Sequence, residues 1–194
     1  MPKKLHIVLY NWSFDMSHLF GDCCFPHLRD LFLEVYSDLG LNSGTFTCLL
    51  ERTPTIETLG WYYLELRSLQ TGSLPNLKQL CVGEGSEPVY DILADTSLAP
   101  RRLESLGQLP LNERFMSVLE NVDRSTLRKL EVTYFASLDV ILDAVRMFPQ
   151  LTWLRIPSVD YMHDYHGVTQ QPIYMVSPTA RTCYGVQHGW FCLV

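Results

Sequence analysis

The chain has 194 residues, 47% of them hydrophobic, enough to bury a sizeable core as one domain. Lys and Arg total 15 against 21 Asp and Glu, a formal charge of −6, which argues against affinity built on neutralising nucleic-acid phosphates. No apolar run reaches membrane-spanning length, and the six cysteines form no C-x-x-C pair, so they read as buried free thiols of a reducing compartment, cytoplasmic or nuclear.

The chain opens on "MPKKLHIVLYNW", where two lysines precede an apolar stretch. His6 and Asn11 interrupt that stretch and no small-residue cleavage site follows, so it reads as a strand and not as a leader. Its apolar residues fit either Leu5/Val8/Tyr10 or the alternation Leu5/Ile7/Leu9. "FPHLRDLFLE" (25 to 34) then sets Leu28, Leu31 and Leu33 in the spacing L-x-x-L-x-L. Phe46, Leu49 and Leu50 form one helical stripe, and Pro54 ends it. The L-x-x-L-x-L spacing returns at Ile56/Leu59/Trp61 and, within "LPNLKQLCVG" (74 to 83), at Leu77/Leu80/Val82. A second stripe, Val89/Ile92/Leu93, is followed by Pro100.

Leu103 and Leu106 supply only two of the three anchors, because Gln108 stands at the third. Phe115/Leu119/Val122 predicts a third helix, Leu127/Leu130/Val132 the next strand, and Leu138/Ile141/Leu142/Val145 a fourth helix ending before Pro149. Leu130 and Leu142 are expected to face each other across the two layers. "FPQLTWLRIP" closes the series with Leu151/Leu154/Ile156. Beyond it the leucine ladder stops, and 158–194 reads as an irregular tail or cap.

First anchors at 5, 28, 56, 77, 103, 127 and 151 are spaced 21 to 28 residues apart, inside the roughly 20 to 29 residue period of leucine-rich repeats. The expected fold is therefore α/β, a leucine-rich repeat solenoid over 1–157 with about six to seven irregular repeats. A curved parallel sheet would form one face and helices the other. The N-terminal edge carries no polar cap, so the isolated chain is expected to self-associate.

Residues 25 to 157 resemble the repeat region of F-box/leucine-rich repeat proteins, especially the divergent repeats of large fungal families. "FPHLRDLFL", "LPNLKQLCV" and "FPQLTWLRI" carry the resemblance, with "SLDVILDAVRM" as the kind of helix that precedes them. It implies a substrate receptor of cullin-RING ubiquitin ligases, in which an F-box docks an adaptor and the repeats hold the target. Here repeat-like sequence begins almost at Met1, where the F-box of those families would lie, so no adaptor-binding residue is carried over.

Signatures of chemistry are sparse. Gly83-x-Gly85 follows a strand and precedes a helix, but the third glycine of a dinucleotide loop is missing and Glu84 and Glu87 would repel a pyrophosphate. Cys48 and Cys81 lie within the repeat pattern and read as packing residues. Lys3-Lys4, Arg101-Arg102 and Arg128-Lys129 read as solvated surface. No cofactor, metal, nucleic acid or membrane is expected.

The expected function is a non-catalytic protein–protein interaction module, the substrate-recognition part of an F-box-type receptor. Its alternative is an enzyme or metal-binding protein using His163 and His166 beside Asp160 and Asp164. Strand alternation sets Asp30, Thr58, Gln79, Ser105, Lys129 and Trp153 in one exposed row and Phe32, Gly60, Cys81, Gly107, Glu131 and Arg155 in the next. These rows predict a shallow trough floored by Gly60, Cys81 and Gly107, suited to a protein partner's loop. Trp153 and Arg155, with Phe32 third, are the expected anchors.

Overall fold

A computed structural model describes residues 2–10, 25–36, 43–62, 67–83, 87–135, 137–156 and 173–176. They form one eight-stranded sheet whose strands lie side by side in sequence order. The strands are β1 (Lys4–Tyr10), β2 (Asp30–Tyr36), β3 (Thr58–Tyr62), β4 (Gln79–Val82), β5 (Ser105–Leu111), β6 (Lys129–Phe135), β7 (Trp153–Ile156) and β8 (Ile173–Val176). The first seven are mutually parallel, and β8 joins β7 antiparallel. The described helices are α1 (Ser43–Arg52), α2 (Glu87–Ala94), α3 (Glu113–Leu119) and α4 (Leu138–Met147), with a 3-10 turn at Thr96–Leu98.

Strands β2, β3, β4 and β7 are launched by the same local chemistry. In Phe25-Pro-His-Leu28, Thr53-Pro-Thr-Ile56, Leu74-Pro-Asn-Leu77 and Phe148-Pro-Gln-Leu151, the fourth residue's N–H donates to the first residue's carbonyl at 3.0 to 3.3 Å. Proline occupies the second position of each turn, where its fixed φ suits the bend. The chain then reaches the preceding strand through a forked bond. Thr58 and Glu57 N–H both donate to Arg29 C=O, Gln79 and Lys78 to Glu57 C=O, Ser105 and Glu104 to Lys78 C=O, and Lys129 and Arg128 to Glu104 C=O.

That register aligns Leu31, Leu59, Leu80, Leu106, Leu130 and Leu154 across six strands, all 4% exposed or less. The helices cover them with Phe46, Leu49 and Leu50 from α1, Val89, Ile92 and Leu93 from α2, and Phe115 and Leu119 from α3, all buried. Asn112 caps α3 by accepting from Phe115 N–H at 2.8 Å.

Several details differ from the sequence expectation. β1 pairs Leu5 with Leu31 and Ile7 with Leu33, so it follows the Leu5/Ile7 alternation, and Val8 turns to the solvent face, 37% exposed. α4 buries Ile141 and Ala144, whereas Leu142 is only half-buried and Leu138 is exposed. Ala144, small enough to be overlooked in an apolar stripe, is buried where Leu142 is not. Pro54 and Pro149 follow α1 and α4 closely, but α2 already stops at Ala94, well before Pro100.

The missing third anchor at Gln108 has a specific cause. Leu106 pairs with Leu130 but Leu109 with Val132, so β5 carries one extra residue in a β-bulge. Gln108 adopts φ +57°, which turns its side chain out of the core and lets Leu109 enter it, fully buried. Residues 173–176, placed in an irregular tail by sequence, form β8; the rest of 157–194 lies outside the described residues.

The bulge predicts an inverted pattern of sensitivity. Leu109→Ala and Leu130→Ala should each cost about 2 to 5 kcal/mol in denaturant unfolding. Gln108→Gly, which relieves the left-handed conformation, should cost nothing or stabilise by up to about 1 kcal/mol. A large loss at Gln108 with none at Leu109 would refute the bulged register.

Candidate interaction face

The sheet's second face carries the residues that the alternation exposes. Cross-strand pairing sets Asp30, Thr58, Gln79 and Ser105 side by side, then Lys129 and Trp153. Phe32, Gly60, Cys81 and Gly107 are likewise neighbours, and Glu131 pairs with Arg155. The bulge interrupts the second row between Gly107 and Glu131. The first row thus runs unbroken from Asp30 to Trp153, and only the second falls into two blocks.

The trough is occupied from within. A Cβ on Gly60 would lie 2.5 Å from the Phe32 ring, and one on Gly107 would lie 3.0 Å from Cys81 Sγ. Gly60 and Gly107 are consequently buried, and the half-buried Phe32 and Cys81 form the surface above them. The Tyr62 ring crosses Gly83 in the same manner, where a Cβ would approach to 2.5 Å. Each glycine is therefore a place where a neighbour's side chain needs to lie flat on the backbone. His6 meets the Phe32 edge at 6.1 Å and hydrogen bonds Glu34 at 2.7 Å.

Chemistry at the centre is muted. Burial pushes the Cys81 thiol up, and nearby Glu131 adds to that shift, so it stays protonated at neutral pH. Tyr62 OH lies 3.6 Å from Cys81 Sγ, and burial together with that contact raises the phenol well beyond its ordinary value. At the β6–β7 end, Arg155 is ion-paired to Glu131, both partly buried, beside the half-buried Trp153.

One feature of this edge escaped sequence reasoning. From Leu28 to Leu127 the residue after each first anchor alternates in sign from strand to strand: Arg29, Glu57, Lys78, Glu104, Arg128. Glu57 receives Arg29 on one side and Lys78 on the other, the latter at 2.7 Å. The hydrogen bond from Lys78 holds its carboxyl below the usual range. Aligning the repeats by their anchors would have exposed the alternation.

Arg101 corrects the reading of Arg101-Arg102 as solvated surface. Its side chain is only 5% exposed, pairs with Asp95 at 3.3 Å and reaches Leu74 C=O at 3.4 Å. It borders a cavity of about 260 Å³ lined also by Ser68, Gln70, Thr71 and Asp91. Cys48, expected to pack, is exposed on α1. Among the described residues no three His, Cys, Asp or Glu converge as a metal site, and no helix is long and apolar enough to cross a membrane. Asp160, His163, Asp164, His166 and Gly85 lie outside the described residues.

No family model, curated protein or solved structure matches the chain.

The Asp95–Arg101 pair predicts a pH signature. Burial opposes ionisation of Asp95, but hydrogen bonds from Ser97 and Gly72 N–H and the charge of Arg101 outweigh it, holding the carboxyl below its ordinary value. Its stabilisation is complete above the unfolded value of about 3.9 and disappears as pH falls through the lower folded value. Asp95→Asn should flatten the acid limb of stability against pH while leaving the shape above about pH 5 unchanged. An unchanged acid limb would show that the pair is not linked to folding.

Proposed function

We propose that the chain is a leucine-rich repeat solenoid whose exposed sheet face holds a protein partner without catalysing a reaction. That role corresponds to the substrate-recognition part of an F-box-type ubiquitin-ligase receptor. The repeat reading is supported by recurrence: a Pro-containing turn precedes β2, β3, β4 and β7, and the forked carbonyl and in-register leucine return from β2 to β7. A unit of this kind cannot bury its strand face and helix stripe alone, so stacking follows.

The observation that carries the binding reading is the arrangement at β6–β7. Lys129, Glu131, Trp153 and Arg155 form a two-by-two block of fixed cross-strand neighbours. Tryptophan and arginine dominate interface energies, because each buries much area while retaining directed donors. Surface ion pairs contribute only about 0 to 1 kcal/mol to folding, so a pair such as Glu131–Arg155 is weakly explained by stability alone. Phe32, Gly60, Cys81 and Gly107 extend the same surface as a low, mostly apolar shelf.

Affinity capture tests this reading. Partners retained specifically by the parent chain should be lost from Trp153→Ala and Arg155→Ala, provided each variant melts like the parent. Gln79→Ala, in the same row but away from the block, should retain them. Retention of every partner by both block variants would reject the face.

A further inference from the structure

We propose that the corner where β6 and β7 begin holds an acidic segment of a protein partner, an assignment that rests on the sheet face being a partner surface. The carboxylates of that segment would lie against Arg124, Arg128 and Lys129. Elsewhere along the strand starts charge is matched. Lys4 pairs with Asp30 at 3.0 Å and Lys78 with Glu57 at 2.7 Å, and Arg29 reaches Glu57 as well. The alternation of sign ends at Arg128, because the next position is the neutral Thr152.

Arg128 forms no ion pair among the described residues. It turns to Gln150, donating to its backbone carbonyl at 3.1 Å and to its side-chain oxygen at 2.8 Å. Those neutral acceptors orient the guanidinium without cancelling its charge. Lys129 and Arg124 are exposed, and among the described residues neither side chain has an ion pair or hydrogen bond. Nearby carboxylates are already engaged. Asp123 accepts from the N–H and hydroxyl of Ser125 at 2.9 and 2.7 Å, and the bridge of Arg101 to Val122 brings Arg102 beside it. Glu131 is ion-paired to Arg155. In a chain of formal charge −6, exposed cations left this close together without a carboxylate gain nothing for the fold and attract an anion.

The surroundings select the anion. A nucleic-acid strand would carry its phosphates on past the corner, where Glu104 and Glu57 lie along the same strand starts. A membrane surface would need apolar side chains to enter it. Among the described residues the exposed large ones, Val8 and Leu138, belong to β1 and α4. A short acidic peptide satisfies both limits. Its carboxylates stay within the corner, and an apolar neighbour can cover the half-buried Trp153, which pairs with Lys129 across β6 and β7.

Fluorescence anisotropy with a labelled poly-glutamate peptide tests this on the full chain. The parent should bind it, and binding should weaken as ionic strength rises. Arg124→Glu and Lys129→Glu reverse the charge of side chains that hold nothing in the fold, so both should melt like the parent. Each should bind the peptide at least about tenfold more weakly. Arg67→Glu, an equal change at an exposed cation between β3 and β4, should bind as the parent does. Absence of binding to the parent overturns the proposal, as does binding that survives both corner reversals. Equal binding of single-stranded DNA or phosphatidylserine vesicles overturns it too, in favour of a general polyanion surface. If the corner reversals keep the peptide while Trp153→Ala and Arg155→Ala still lose captured partners, the acidic segment fails and the sheet-face reading stands. If those two variants keep every partner while the reversals lose the peptide, the sheet-face reading fails and the acidic site stands.

Discussion

The forked hydrogen bond at the start of strands β3 to β7 is the constraint on which the rest depends. One carbonyl, from Arg29, Glu57, Lys78, Glu104 or Arg128, accepts two successive N–H groups of the next strand at 2.7 to 3.2 Å. This fixes where each strand begins, and a strand has only two faces. A slip of one residue would send every leucine to solvent. Because each turn delivers the chain to the same relative point, Leu31, Leu59, Leu80, Leu106, Leu130 and Leu154 meet without any long-range instruction. The alternating charges on those same residues reinforce the alignment, since a shifted neighbour would lose its opposite partner.

Constraint at the strand start leaves freedom further along. The bulge in β5 is tolerated because the ladder before it is already set and because an extra residue in β6 restores the register at Pro110, which pairs with Tyr134. Its effect on the other face is to separate the Phe32–Gly107 shelf from the Glu131–Arg155 block. Inside the shelf, side chains lean over glycines on the next strand, Phe32 on Gly60 and Cys81 on Gly107. Replacing such a glycine would displace a ring or a thiol without touching the core, so core and face are energetically distinct.

How much of this was legible follows from the physics of each residue. The anchors were, because burial demands large aliphatic groups at fixed spacing. Gln108 was not: a left-handed residue shifts the count by one, and no side-chain pattern announces it. β1 was ambiguous because apolar residues fill 5, 7, 8 and 9, and only pairing with β2 decides which face Val8 takes. Ala144 was hidden by its size, and Arg101 by its charge. Arg101 is buried through partners that lie far away in sequence, Leu74 and Ser73 carbonyls among them. On the face, the rows were readable from alternation alone, whereas the filling of the trough depends on which way rings lie.

That filling bears on the kind of recognition the face can perform. A thiol held protonated by burial and by Glu131 and a phenol pushed further from ionisation sit at the centre of the shelf. Fixed rings over glycines offer a stiff surface and no cleft. At β6–β7 the guanidinium of Arg155 is already oriented by Glu131, so a partner's carboxylate would meet a positioned donor instead of a free chain. On the proposed reading, specificity then comes from matching a polar pattern beside Trp153. The shelf from Phe32 to Gly107 adds area and little choice. A partner suited to this surface is flat or extended over the shelf and carries an acidic group where it reaches the last two parallel strands.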